Sequence, residues 1–244
     1  MTLRLFRGGL AGATELDVLN GANALLLGDE VVQFAGATLN ADASYTLTTL
    51  LRGRRGTEWA MAGHAVGERV VVLSSLTLLR EALPDGDLAA LRYYRAVTLG
   101  GTLAGGTTKT LLFQGRSQMP YAPVHLTAAR GVSPQHWTLA WVRRTRLGGA
   151  WKDGLDVPLG EEREAYEVDI LDPLGAPPGA VVRTITETPS PGGSFVTPAS
   201  RSARYSASDQ VADFGAVQDS LALRVYQISA TVGRGVPADA SFAA

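Results

Sequence analysis

The stretch Trp137-Thr-Leu-Ala-Trp-Val-Arg-Arg-Thr-Arg146 carries the decisive pattern. Trp137, Leu139 and Trp141 fall on one side of an alternation, and Thr138, Ala140 and Val142 on the other. A period of two is that of a strand, so both tryptophans share one sheet face. The bland expectation is that Trp141 anchors a core. Leu221–Ser229 repeats the pattern, with Leu221, Leu223, Val225 and Gln227 on one face and Ala222, Arg224, Tyr226 and Ile228 on the other. Between and around these lie Val124–Ala129, Ala165–Leu171, Ala180–Glu187 and Ser200–Ser206. Turn clusters separate them at Leu147–Gly149, Asp172–Gly179 and Pro189–Gly193. Regular short strands with such spacing predict a two-sheet sandwich.

Working outward, Gln118–Pro123 (QMPYAP) is the best domain boundary, because two prolines within four residues force extended backbone. The upstream part also reads as strands. Ala24–Phe34 carries a Gly28-Asp29 turn signal, and Ser44–Leu51 alternates with β-branched and aromatic residues. Arg69–Ser74, Tyr93–Leu99 and Thr108–Gln114 complete the set, the last two flanking a Gly-rich bend at Gly100–Gly106. One short helix is predicted at Leu76–Leu83. The fold class is therefore all-β: a β-rich, barrel-like domain over residues 1–121 and a sandwich over 122–244.

Composition bounds the function. The 244 residues are 45% apolar, enough to bury a core, and the apolar runs are far shorter than the ~20 residues of a membrane helix. No transmembrane segment is predicted, and Met1–Leu10 does not read as a signal peptide. Basic and acidic residues number 22 and 23, so the basic surplus of a nucleic-acid binder is missing and no stable nucleic-acid binding is expected. The absence of cysteine excludes disulfides, a thiol nucleophile and Cys-ligated zinc. Lys109 and Lys152 are the only lysines; every other basic group is an arginine, suited to bidentate pairing.

Two resemblances add to this. Pro120–Pro123, Leu126, Trp141, Tyr166-Glu-Val-Asp-Ile170 and Leu223–Ser229 occur in the order of a fibronectin type III domain, which residues 122–244 resemble. That resemblance implies a spacer or binding module and no chemistry. A first block, Leu26–Phe34 with Tyr45-Thr-Leu, Leu50–Glu58 and His64-x-x-Gly67-Glu68, is joined by a second, Trp141–Arg146 with Trp151, Val157–Glu162, Tyr166-Glu-Val and Gly233-Arg-Gly235. Together they resemble the C-terminal part of the large tail-tip, or host-specificity, protein of siphophages and gene transfer agents. This implies a structural virion protein at the tail tip, assembled in the host cytoplasm, whose partners are the hub and distal tail proteins. It further implies a homotrimeric ring. Members of that family carry hub domains and a glycoside-hydrolase-like barrel upstream; the barrel's activity is not carried over, and the hub is expected to be a separate chain.

The chemistry candidates are few. Arg52-Gly-Arg-Arg-Gly-Thr-Glu58 is the densest charge cluster, but it lacks the Gly-Lys-Ser/Thr ending of a phosphate-binding loop. It reads either as a turn whose arginines pair with acids such as Glu30 or Glu58, or as a subunit contact. Arg52, Arg54 and Arg55 are the candidates for contacts to neighbouring subunits or the hub, and replacing all three is expected to weaken assembly and leave the fold intact. Glu161 and Glu162 point to opposite faces if they lie on a strand and make a poor hydrolase pair. Asp209, Asp213 and Asp219 are too loosely spaced for a calcium loop. His64, between glycines, is expected to be hydrogen-bonded and structural. His125 and His136 read as strand-edge residues. No catalytic, metal or cofactor residue is assigned, and an enzyme is not expected. The rival reading is a module for a host-surface glycan or receptor, with Trp137, Trp151 and Tyr205 as stacking aromatics; it requires them to face solvent.

Overall fold

The computed structural model describes residues 1–74, 78, 81–149, 157–172, 174, 179–188 and 201–244. Half of the helix expected at Leu76–Leu83 lies outside them, and residues 78 and 81–83 are not helical; Trp151 and the Pro189–Gly193 turn also lie outside them. The described chain is all-β, with curled half-barrel sheets. Among the described residues no helix is long and apolar enough to cross a membrane. By contacts the chain divides into two compact units, Met1–Glu81 and Ala82–Ala244. The division falls upstream of the Gln118–Pro123 segment.

The first unit contains β1 (Thr2–Leu3), a short helix α1 (Glu15–Leu19), β2 (Ala24–Leu27), β3 (Glu30–Leu39), β4 (Tyr45–Arg54) and β5 (Val70–Val72). Its sheet is antiparallel in the order β1-β4-β3-β2-β5. Gly28, at φ +56°, makes the β2–β3 turn; a Cβ there would stand 2.0 Å from Glu68 Oε1. The core is small: Leu3, Leu25, Phe34 and Leu47. Helix α1 is capped by the Thr14 hydroxyl, which accepts from Asp17 N–H, and only Val18 of the helix is buried.

The second unit begins with a hairpin, β6 (Leu91–Arg95) and β7 (Thr108–Leu112), which pair with each other alone. There follow β8 (Val124–Arg130), β9 (Trp137–Val142), β10 (Tyr166–Asp172), β11 (Ala180–Glu187), β12 (Arg201–Tyr205), helix α2 (Ala207–Phe214), β13 (Ser220–Ser229), β14 (Gly233–Arg234) and β15 (Ala238–Ala243). They form a three-stranded sheet, β12-β9-β8, and a second sheet in the order β11-β10-β13, with β15 along the first half of β13 and β14 at its end. The inward alternation of both sheets meets in one core of Trp137, Leu139, Trp141, Tyr166, Val168, Ile170, Ala203, Tyr205, Leu221, Leu223 and Val225. Trp141 and Tyr166 pack edge to face, with ring centroids 5.2 Å apart.

Candidate functional site

The arginine run ends β4 in a tight turn in which Gly53, Arg55 and Gly56 all take positive φ. A Cβ on Gly53, at φ +58°, would meet Met61 Sδ at 2.8 Å and Glu58 Cα at 3.0 Å, so any side chain there is strained and displaces its neighbours. The turn folds Arg52 back over Glu30, whose side chain is fully buried. Arg52 Nε and Nη2 donate to the Glu30 carboxylate at 2.8 and 2.7 Å, Gly53 N–H donates at 2.6 Å, and His64 Nε2 lies 2.8 Å away. On its other side His64 Nδ1 lies 2.7 Å from Glu68. Burial alone would raise the Glu30 pKa; the bonds from Arg52, Gly53 and His64 overcome that and hold the carboxyl below the ordinary glutamate range. Glu68 first, and Glu30 second, raise His64 above the ordinary histidine value.

Each ring nitrogen of His64 faces a carboxylate, which favours the doubly protonated ring. Both oxygens of Glu30 already accept two or more bonds. A base needs a free lone pair and an acid needs an outlet for its proton; this centre is a clasp that ties β3, β4 and the 58–68 segment together. Arg54 is also turned inward. Its Nε donates to Gln33 Oε1 at 2.6 Å, and Gln33 Nε2 donates in turn to the Val18 and Ala22 carbonyls at the end of α1, both at 2.7 Å. Arg55 alone of the three is a plain surface residue. The expectation that Arg52, Arg54 and Arg55 could be replaced together without harm to the fold is therefore corrected. Loss of Arg52 strips a buried carboxylate of its counter-ion.

The aromatic candidates are corrected in the same way. Trp137 and Tyr205 are 1% and 0% exposed. Trp137 Nε1 donates to the Gln218 carbonyl at 3.3 Å, and Tyr205 donates its hydroxyl to Asp213 on α2 at 2.8 Å. A ring closed into the core has no face to offer a sugar. Trp151 lies outside the described residues.

What the motifs missed is the β6–β7 hairpin. Leu91, Tyr93, Tyr94, Leu111 and Leu112 are exposed along its strands, and Leu99 and Leu103 are exposed at its end. The curled loop encloses an open concavity of about 750 Å³, lined among others by Tyr94, Val97, Thr102 and Lys109, with no Asp, Glu or His in its lining. Arg95 braces the loop through Thr108 Oγ1 and the Leu103 carbonyl, both at 2.9 Å. An isolated two-stranded hairpin is marginal in water, and an apolar surface of this kind marks an interaction site. The sequence signal was present as LRYYR and TKTLL, apolar on both faces of each strand.

Among known proteins, a family model described as Rcc01698-like, C-terminal, matches residues 1–71. No curated protein matches the chain.

Proposed function

We propose that this chain is a structural component of the tail tip of a phage or phage-like particle, serving tail assembly, host attachment and DNA delivery. The single observation behind the structural part of this reading is the row of exposed apolar side chains along the β6–β7 hairpin, the kind of surface that a macromolecular partner covers. The tail-tip part rests on the two sequence blocks, the first of which falls inside the matched residues 1–71. Residues 122–244 are taken as a fibronectin type III-like sandwich. Support comes from the order of pairing: the first, second and fifth strands after Pro123 form one sheet, and the third, fourth and sixth form the other with the last two along the sixth. Such a module spaces and presents surfaces and performs no chemistry.

Cryo-electron microscopy of intact particles from the source organism tests the proposal. Density for this chain in a symmetric ring at the tail tip is the expected result. Particles that carry a complete tip without it overturn the reading.

A further inference from the structure

A net charge of −1 conceals a segregation of sign along the chain. From Gly8 to Leu51 every charged side chain is acidic, and from Leu88 to Arg146 every one is basic. Much of the basic block is neutralised within the second unit: Arg130 pairs with Asp219, Arg146 with Glu161 and Arg92 with Asp87. On the hairpin, Arg95 and Lys109 have no acidic partner among the described residues. They sit one position out of register across β6 and β7, behind the apolar end that carries Leu99 and Leu103, 106% and 68% exposed.

Within the acidic block Glu30 is buried under Arg52 and Asp42 pairs with Arg4, while helix α1 holds a surface of matching character. Helix α1 presents Leu16 and Leu19, three residues apart on one face and 68% and 59% exposed, with Glu15 exposed beside them. We propose that the β6–β7 hairpin of one copy of this chain docks on the α1 face of a second copy, head to tail. Leu99 and Leu103 meet Leu16 and Leu19, while Arg95 and Lys109 approach Glu15 and Asp17 of the helix. Hairpin against hairpin would set Arg95 and Lys109 against themselves, whereas both halves of the complementary pair are present on this one chain. Two different surfaces make a heterologous contact, which propagates and closes into a ring when the rotation allows. The inference names the partner of the surface just described, and it draws on the tail-tip reading only for the ring's place in a particle.

Sedimentation of the full chain over a range of concentrations tests this. Self-association that weakens from low salt to about 0.5 M salt is expected. Two double variants dissect it, Leu99→Glu with Leu103→Glu on the hairpin and Leu16→Glu with Leu19→Glu on the helix. All four positions are exposed, and circular dichroism checks that each variant folds. Each variant alone should lose association by more than about tenfold, because a carboxylate would be buried in an apolar contact. Mixed in equal amounts, they should form a 1:1 dimer that grows no further, since each supplies the half the other lacks.

A wild-type chain that stays monomeric overturns the proposal. So does a helix variant that associates as wild type does, which would mean hairpin meeting hairpin. Flotation of a monomeric wild-type chain with phosphatidylglycerol vesicles, lost in the hairpin variant, would assign the hairpin to a lipid surface instead. A ring in solution with no chain in the particle keeps this contact and removes the tail-tip reading. A monomeric chain found in the particle does the reverse.

Discussion

Each unit holds a buried carboxylate with an arginine closed over it, Glu30 in the first and Asp169 in the second, yet the two centres are built differently. In the first, Glu30 is held by Arg52, the Gly53 amide and His64. In the second, Asp169 on β10 accepts a two-pronged grip from Arg234, at 2.6 and 2.9 Å, and the Thr184 hydroxyl at 2.6 Å. Arg234 also lies 4.5 Å over the Tyr226 ring. Arg234 is shared with Glu167, whose carboxylate accepts from its Nε at 2.6 Å, and no histidine takes part. Glu30 shares its cage with a histidine. The surroundings differ as well: the second unit has an aromatic core drawn from two sheets, while the core cluster of the first is the smaller set Leu3, Leu25, Phe34 and Leu47. The comparison teaches that the first unit depends on its polar clasp in proportion to how little core it has.

The largest effect that would sharpen this comparison is Trp141→Ala. The ring is 1% exposed and packs on Tyr166. Removing a buried tryptophan costs about 3–5 kcal/mol. Hydrogen exchange resolved by peptide should show protection falling in β9, β10 and β13 and unchanged in β3 and β4. Loss in both units together would mean that they unfold as one body, and the comparison would have to be abandoned.

Next comes Glu30→Ala. It leaves Arg52 and His64 without their shared anion and Gly53 N–H without an acceptor. Breaking a buried pair costs about 3–5 kcal/mol, and the lower end applies because the Arg52 side chain is 34% exposed. Protection should fall in β3, β4 and the 58–68 segment and stay in the second unit. A loss below about 1 kcal/mol would show that the small apolar core carries the first unit without the clasp.

Much of the fold was legible, and what was not has physical causes. Strands with clear alternation, such as β9 and β13, appear where the period of two placed them, because one face is buried on each. Strand β15 (ADASFA) is poor in β-branched residues and exists through its pairing with β13, a contact that local propensity does not carry. Helix α2 lies outside the strand pattern, and its ends carry signals: Ser206 accepts from Asp209 N–H, and Gly215 closes the helix at φ +77°. At the site, the pairing of the Arg52 run with Glu30 was among the readings the sequence allowed. The contact of His64 with Glu30, 34 residues away in sequence, had no local signal. Nor did the burial of Trp137 and Tyr205, since alternation tells which residues share a face and not which face is covered.

The last and gentlest way to break the comparison is pH. His64 is raised by Glu68 and Glu30, so its contribution is fully present below the ordinary histidine value of 6.5 and is lost as pH climbs through its raised value. Glu30 is held low, so its contribution is present above the ordinary glutamate value of 4.5 and is lost as pH falls through its lowered value. The first unit should therefore be most stable between these limits and should lose protection on the alkaline side. The Asp169–Arg234 centre contains no histidine. Replacing His64 with glutamine should flatten the alkaline arm in β3 and β4 while keeping the acid arm, because Glu30 remains. Unit-resolved hydrogen exchange at several pH values, corrected for intrinsic exchange rates, reads both arms at once. An alkaline arm that survives in His64→Gln, or one of equal slope in the second unit, would show that some other group sets it and that the two centres differ in geometry only.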